Sequence, residues 1–406
     1  MRNGLDVLLD DPKRLSQLQG ERVGVACNHT AITLDCDHLI DVLPARGVGL
    51  RRIFTPEHGL HATAQDMITV EDEHHLLGSQ ARVATPGTRE IVSLYGKTAA
   101  SLRPRQEQLA DLDVLLFDIQ DIGSRYYTYQ ATLGYMMEVA AVTGTRVVVL
   151  DRPNPIDGIT LEGNIVQPGY ESFVSAYPLA VRHGMTMGEL ARFFRDDCGI
   201  DCALEIIPCE GWDARCRFDA TGLPWVFPSP NMPMVETALI YPGMCLIEGT
   251  NLSEGRGTTR PFHLVGAPFL DGSRLRHLCR EGALDAGLEG VTFRAATFEP
   301  RFQKFAGEVC HGVEIMVTNA DALESYLLGL VVLEAAMRAA PAHFKWRTET
   351  YEFVDNPIAI DLLCGTNEAR VGLMSKIAPR TMVSGWMPQR LAWEQRRANA
   401  LIYPRG

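Results

Sequence analysis

The sequence predicts an α/β fold, in which a Rossmann-like parallel sheet domain is followed by a smaller α+β C-terminal domain. Short apolar runs rich in β-branched residues alternate with stretches of helical period, and each run ends in a polar cluster. Because these runs are almost continuously apolar, helices are expected on both faces of the sheet. The alternation fades in the second half of the chain, where a smaller domain of mixed type is expected.

Four strands are predicted in the first half of the chain. They are residues 22–27, 50–54, 114–119 and 146–150. The polar clusters that follow them begin at Asn28, Thr55, Gln120 and Asp151. In an open parallel sheet the ligand lies outside the carboxyl ends of the strands, so these clusters are expected to meet at one edge and to form the functional site.

Helical period predicts helices over residues 128–143, 187–195 and 326–339. The first of these is apolar on nearly every face and is expected to be buried all round. At the start of the second, Thr186 is expected to be the N-cap and Glu189 its capping-box partner.

A proline-rich stretch, residues 224–233, is unsuited to regular structure. We expect a domain boundary near Phe227, which divides the chain into residues 1–227 and 228–406. A single α/β unit with a long C-terminal elaboration is the alternative division.

Composition and charge limit the partners of this protein. The 406 residues include 50 acidic and 38 basic side chains, giving a formal charge of −12. The mean field therefore repels phosphate backbones and anionic lipid headgroups, and neither nucleic acid nor a membrane is expected as a partner.

The first twenty residues do not resemble a secretory signal peptide, because Asp6, Asp10 and Asp11 interrupt the apolar run that such a peptide requires. With no export signal visible, the ten cysteines are expected to be reduced thiols and the protein cytoplasmic.

Motifs for bound cofactors and metals are absent from the sequence. It has no G-x-x-x-x-G-K-[ST] phosphate loop, no G-x-G-x-x-G after the first strand and no G-x-S-x-G elbow. Cys198, Cys202, Cys209 and Cys216 lack paired C-x₂-C spacing, and Cys209 ends a predicted strand at 204–209, so zinc is not expected. A second metal hypothesis combines His58, His61, His74, His75 and Asp66, but no helical glutamate accompanies these histidines. We expect neither a cofactor nor a metal.

Two glutamates stand out as candidate catalytic groups. Glu57 lies in a Pro-Glu-His-Gly turn directly after a strand, and Glu138 is the single carboxylate of the apolar helix at 128–143. Two carboxylates in different environments are what glycoside hydrolysis requires. Alternatively, Glu57 or His58 caps the following segment, or Glu138 pairs with an arginine such as Arg125 or Arg152.

Polar residues concentrate in two further places. Residues 118–129 combine acids, an amide, an arginine and three tyrosines, a mixture typical of a carbohydrate subsite, although a helix N-terminus with Asp118 or Asp121 near the dipole is the alternative. The glycine-rich loop at 248–260 carries Asn251, Glu254, Arg256 and Arg260. One of its arginines is expected to bind an anionic substituent, and a solvated turn is the alternative. His183 is a further candidate in a polar turn.

Seven sequence blocks together carry a family resemblance. They are TPEHG at 55–59, SLYGK at 93–97, FDIQDIGSRYYTY at 117–129, DRPNP at 151–155, HGMTMGELA at 183–191, FPSPNMP at 227–233 and YPG…EGTNLSEGRGTTRPF at 241–262. Their identity and order resemble the exo-β-N-acetylmuramidases of the NamZ (YbbC-like) family, and the match spans most of the chain.

The resemblance implies a catalytic Rossmann-like domain at 1–227 and an auxiliary domain at 228–406 that completes the substrate cleft. It also implies hydrolysis of the β-1,4 bond that releases N-acetylmuramic acid (MurNAc) from the non-reducing end of peptidoglycan fragments. The partners would then be peptidoglycan-derived disaccharides or muropeptides. Because the chain begins almost at the first family block, turnover of imported sugars in the cytoplasm is expected.

By motif, Glu57 and Glu138 match the two catalytic glutamates of that family. We expect Glu57 to be the acid/base, because its turn offers solvent access, and Glu138 to have a fixed electrostatic or nucleophilic role. Arg256 is expected to meet the lactyl carboxylate. The other residues predicted to bind substrate are Asn28, His58, Asp118, Gln120, Asp121, Arg125, Tyr127, Asn154, His183, Asn251 and Glu254. The alternative functions are a β-N-acetylglucosaminidase and a non-catalytic amino-sugar-binding protein.

Overall fold

The computed structural model describes residues 1–65, 67–69 and 90–405, and its strands fall into three sheets. In chain order the strands are β1 (Val23–Cys27), β2 (Leu50–Thr55), β3 (Glu90–Ser93), β4 (Val114–Asp118), β5 (Arg146–Leu150), β6 (Glu162–Ile165), β7 (Ala180–Arg182), β8 (Leu204–Ile207), β9 (Leu264–Ala267), β10 (Val291–Phe298) and β11 (Cys310–Val317). A parallel sheet has the order β3-β2-β1-β4-β5-β8. Strands β10, β11 and β9 form an antiparallel sheet, and β6 pairs with β7.

Helices connect and cover these strands. In chain order they are α1 (Gly4–Leu9), α2 (Pro12–Gln19), α3 (Leu39–Ala45), α4 (Gln106–Leu109), α5 (Tyr129–Thr143), α6 (Met187–Asp196), α7 (Val235–Met244), α8 (Gly272–Ala286), α9 (Ser325–Ala339), α10 (Ala359–Cys364), α11 (Glu368–Met374), α12 (Pro379–Gly385) and α13 (Met387–Arg397). The predicted fold class, a parallel α/β sheet followed by a mixed C-terminal region, is confirmed.

The four predicted strands correspond to β1, β2, β4 and β5, and β8 lies within the strand predicted to end at Cys209. Strand β3 was not predicted. It is four residues long, and only Ile91 and Val92 in it are buried, so it carries little of the apolar signal of the inner strands.

Alternate side chains of the inner strands enter two separate cores, as the apolar pattern predicts. From β4, Leu115 and Phe117 pack into the core that contains Met136 of α5. Val114 and Leu116 point to the other core, which contains side chains of α1, α2 and α3. Helices therefore cover both faces of the sheet.

The predicted helices are present, but one expectation about burial is wrong. Thr186 caps α6: its hydroxyl accepts from the Glu189 amide at 3.2 Å, and the Glu189 carboxylate accepts from the Thr186 amide at 3.1 Å. Helix α5 is buried along its first turns, but its last turn reaches the surface, where Val142 is 66% exposed. The apolar composition of α5 therefore did not predict that its C-terminal end is exposed.

The end of the described chain returns to the N-terminal half. The hydroxyl of Tyr403 donates to the Asp151 carboxylate, just after β5, at 2.5 Å. Arg405 donates to the Glu189 carboxylate at 2.6 Å. These contacts tie the two halves of the chain together, and the division at Phe227 stays a prediction.

Among the described helices, none combines the length and apolar character that a membrane span requires.

Candidate active site

A cavity lies between the carboxyl edge of the parallel sheet and the C-terminal half, where the ligand of an open α/β sheet is expected. Three glutamates line it: Glu57, Glu248 and Glu352. The remaining lining side chains are His58, Tyr126, Tyr127, Thr128, Tyr129, Val174, Ser229, Asn231, Met232, Tyr241, Arg256, Phe262 and Tyr351. Carboxylates and aromatic rings therefore converge on one space, as recognition of a sugar requires.

Glu57 enters the cavity from the turn that follows β2. Pro56 begins this turn, the Gly59 amide donates to the Pro56 carbonyl at 3.0 Å, and both His58 and Gly59 have positive φ, of 73° and 81°. Glu57 is 5% exposed, and its carboxylate accepts from the hydroxyl of Thr128 at 2.7 Å. The turn and the start of α5 together fix this carboxylate in the cavity.

Tyrosine rings form much of the cavity wall. Tyr127 packs edge-on against Tyr129 at 4.9 Å and Tyr241 at 5.8 Å between ring centroids. Burial raises the pKa of Tyr127 and of Tyr241 well above the usual value of a phenol, so both keep their hydroxyl protons. The wall therefore presents neutral apolar faces that suit the CH face of a sugar ring.

An ion-pair network forms the wall from the C-terminal half. Arg256 donates to the Glu248 carboxylate at 2.8 Å, and Tyr351 donates to the other oxygen of Glu248 at 2.8 Å. Arg256 also lies 3.6 Å from Glu254, which Lys304 approaches to 3.1 Å. Burial alone would raise the pKa of Glu254, but the charges of Lys304 and Arg256 hold it below its usual value.

Of the predicted site residues, Glu57, His58, Tyr127 and Arg256 line the cavity. Two more lie directly behind its wall: Asn28 donates to the hydroxyl of Tyr129 at 3.1 Å, and Glu254 pairs with Arg256.

Glu138 does not reach this cavity, so the expectation that it shares a common space with Glu57 is wrong. The ten positions from Thr128 to Glu138 correspond to about 15 Å of helix. At the far end of α5, the Glu138 side chain is 37% exposed, accepts from Tyr177 at 2.8 Å and pairs with Arg103 at 3.2 Å. An arginine partner was an open alternative, and Arg103, rather than Arg125 or Arg152, provides it.

Arg125 is not placed to clamp a substrate carboxylate. It is fully buried, and its guanidinium donates to the backbone carbonyls of Asn164, Leu179 and Leu363, each at 2.9 Å. Its hydrogen bonds to carbonyls from both halves of the chain make it a structural link.

The other predicted binding residues hold the polar loops at the sheet edge in place. Asp118 forms an ion pair with Arg152, and Gln120 donates to the carbonyls of Asp121 and Pro153. Asn154 donates to the Met185 carbonyl at 3.0 Å. The polar clusters after β4 and β5 therefore do meet, as predicted, but Asp118, Gln120 and Asn154 do not line the cavity.

Three further predicted residues also have backbone or side-chain partners outside the cavity. Asp121 accepts from the Gly123 amide at 2.7 Å and lies 3.6 Å from His183, which is completely buried. Asn251 exchanges hydrogen bonds with the backbone of His343 and Lys345, at 2.9 Å each. These contacts favour roles in folding the surrounding loops.

Glu248 and Glu352 were missed by sequence reasoning. Glu248 is the single carboxylate in the otherwise apolar run 243–249, which is the signal that could have identified it. Glu352 lies in irregular sequence without a motif, so only the fold brings it to Glu57.

The described residues contain no group of three or more His, Cys, Asp or Glu side chains that could hold a metal. All ten cysteines lie within the described ranges and are free. Of the histidine hypothesis, His74, His75 and Asp66 lie outside the described residues.

The comparisons with known proteins agree with the sequence blocks. The N-terminal model of the exo-beta-N-acetylmuramidase NamZ matches residues 23–236, and the C-terminal model of the same family matches residues 239–403. The chain belongs to the NamZ family. The predicted family resemblance is thus confirmed.

Individual relatives extend over the same length. The chain is 39% identical to the peptidoglycan beta-N-acetylmuramidase NamZ of Bacillus subtilis (strain 168), over 99% of this chain and 91% of the relative. The crystal structure of a DUF1343 family protein from Bacteroides fragilis has a TM-score of 0.82 and 28% identity, covering 99% of this chain and 98% of that one. A second DUF1343 protein from the same strain has a TM-score of 0.75 and 25% identity, covering 100% and 99%.

Proposed function

We propose that this NamZ family member is an exo-acting glycoside hydrolase that releases MurNAc from the non-reducing end of peptidoglycan fragments by cleaving the β-1,4 bond to N-acetylglucosamine (GlcNAc). The observation that carries the proposal is the buried Glu57 in a cavity walled by tyrosines, in a chain that matches both NamZ domain models. Peptidoglycan-derived disaccharides or muropeptides are its substrates.

Glu57 is the proposed general acid. A carboxylic acid beside the scissile bond gives its proton to the leaving glycosidic oxygen, while positive charge develops on the sugar ring. The hydroxyl of Thr128, 2.7 Å from the Glu57 carboxylate, orients the group for this transfer. The tyrosine rings around it exclude water and position the sugar.

The contacts of Glu138 support a structural role instead of the catalytic one that its motif implied. Tyr177 and Arg103 bind its two oxygens at the surface end of α5. Glu138 thus serves as the matched control for Glu57: the family resemblance implied a catalytic role for both glutamates, but only Glu57 lines the cavity.

The test is incubation of the pure protein with a MurNAc–GlcNAc disaccharide, with the products read by mass. We expect release of both monosaccharides, a loss in kcat of at least about 100-fold for Glu57→Gln, and activity within about tenfold of wild type for Glu138→Gln. A Glu57→Gln protein that is folded and fully active would refute the assignment. Binding of the disaccharide without any turnover would indicate a sugar-binding protein instead.

A further inference from the structure

A carboxylate from the C-terminal half lies in the same cavity as Glu57. Glu352 is 5% exposed and lines this cavity. The hydroxyl of Tyr95, two residues beyond β3, donates to its Oε2 at 2.9 Å. The edge of the N-terminal sheet therefore holds a carboxylate that the C-terminal half supplies.

Glu352 lies in a strained turn. The Tyr351 amide donates to the Val354 carbonyl at 3.0 Å and the Val354 amide donates back at 2.9 Å, so only Glu352 and Phe353 connect the bridged residues. Their φ angles are 47° and 66°. A two-residue hairpin with two positive φ angles normally carries Asn and Gly, because larger side chains clash with the backbone there. Backbone strain of this kind clusters at functional sites.

Side chains on both sides of Glu352 hold this turn in place. The ring of Phe353 packs against Tyr95, with 5.8 Å between centroids, and the hydroxyl of Tyr351 donates to Glu248. The strained turn is thus held from both sides in the position that directs Glu352 to the cavity. Glu248 differs, because it lies in a short 3-10 helix, Cys245–Gly249, and forms an ion pair with Arg256.

We propose that Glu352 is the second catalytic carboxylate of the hydrolysis, an inference that rests on the proposed function. As the bond between C1 and the glycosidic oxygen breaks, Glu57 gives its proton to that oxygen. A water oxygen forms the new bond to C1, and Glu352 accepts the proton that this water loses. Exchange of one proton each with solvent returns Glu57 to the acid and Glu352 to the carboxylate before the next turnover.

The first test compares kcat/KM and its pH profile for Glu352→Gln and Glu349→Gln. We expect Glu352→Gln to lose at least about 100-fold, together with the acid limb of the profile that a general base produces. Glu349 is exposed and lies three residues earlier, so Glu349→Gln is the matched control and keeps wild-type activity.

The second test separates chemistry from folding. Because glycine adopts a positive φ without strain, Glu352→Gly is expected to keep or raise Tm while it loses activity. Azide is an anion that attacks C1 without a base, so adding it to Glu352→Gly is expected to restore cleavage and to give a MurNAc azide, detectable by mass. A residue with only a structural role would produce neither result.

The outcomes are distinguishable. Glu352→Gln with wild-type kcat/KM, or Glu352→Gly with reduced Tm and no glycosyl azide, overturns the role of Glu352 and leaves the proposed function standing. Wild-type protein that releases no MurNAc overturns the proposed function, and this inference with it.

Discussion

At the scale of single residues, Asp151 shows how burial couples a charge to stability. It follows β5, is completely buried, and accepts hydrogen bonds from the hydroxyls of Thr186 at 2.6 Å and Tyr403 at 2.5 Å and from the Gly188 amide at 2.8 Å. Burial raises its pKa to about 6, although these hydrogen bonds oppose the shift.

This shift predicts a pH dependence of stability with a definite sign. Between the unfolded pKa near 4 and about 6, Asp151 is protonated in the folded protein and ionised in the unfolded chain, so the free energy of unfolding falls as pH rises. The loss from this residue totals about 3 kcal/mol by pH 7. Urea unfolding of wild type and of Asp151→Asn at pH 4, 5, 6 and 7 measures this loss. The free energy of unfolding of wild type, minus that of Asp151→Asn, should fall as pH rises, because the asparagine of the variant does not titrate. A constant difference would contradict the prediction.

Arg256 lines the cavity and already has a carboxylate partner within the protein. Sequence reasoning assigned it to the lactyl carboxylate, but the structure pairs it with Glu248 at 2.8 Å and places its guanidinium over the ring of Phe262. Glu248 therefore already takes the position of a carboxylate partner.

We expect Arg256→Gln to lower kcat/KM by about 100-fold on chromogenic substrates both with and without the lactyl group, because Glu248 loses the partner that orients it. Arg301→Gln is the control, since Arg301 is exposed and belongs to a surface ion pair. A loss confined to the substrate with the lactyl group would restore the original assignment.

A cavity residue could be predicted from the sequence where its neighbours along the chain mark it, and could not where only distant contacts place it. Glu57 was predictable because strand, proline and glycine adjoin it in the sequence. Glu352 was not, since its place in the cavity depends on a contact with Tyr95, 257 positions away.

At the scale of elements, local patterns predicted the inner strands and the cap of α6 well. They failed for the final turn of α5, where burial depends on which elements lie beside the helix rather than on its own composition. The same limit explains why Glu138 was assigned to the interior.

The crossing of α7 and α9 offers a test at this scale. A methyl group added at Gly329 would lie 2.2 Å from the Gly243 carbonyl oxygen, which is backbone and cannot move without displacing a helix. We expect Gly329→Ala to lower the free energy of unfolding by about 2 kcal/mol or more. Gly385→Ala in α12 is the control, since nothing lies within 4 Å of the added methyl, and its stability should stay within about 0.5 kcal/mol of wild type. Equal stability of the two variants in chemical denaturation would refute the close crossing.

At the scale of the whole molecule, residues 401–405 join the C-terminal half to the N-terminal sheet. Glu189 has no exposed surface, and Arg405 provides its positive partner while the amides of Ile402 and Tyr403 also donate to it. Removing only the arginine would leave a buried charge without its counterion.

We therefore expect Arg405→Met to lower the free energy of unfolding by about 3 kcal/mol. Arg215→Met is the matched control: Arg215 is exposed and pairs with Asp213 at the surface, so its loss should leave the free energy of unfolding nearly unchanged. Urea denaturation of both variants checks this, and a similar small effect for each would show that the tail contributes little.

The hydrogen bond between Tyr403 and Asp151 joins positions 252 residues apart. Contacts so distant along the chain form only after a large loss of loop entropy, and proteins rich in them fold slowly. Docking of residues 401–405 onto the N-terminal half should consequently be a late step of refolding.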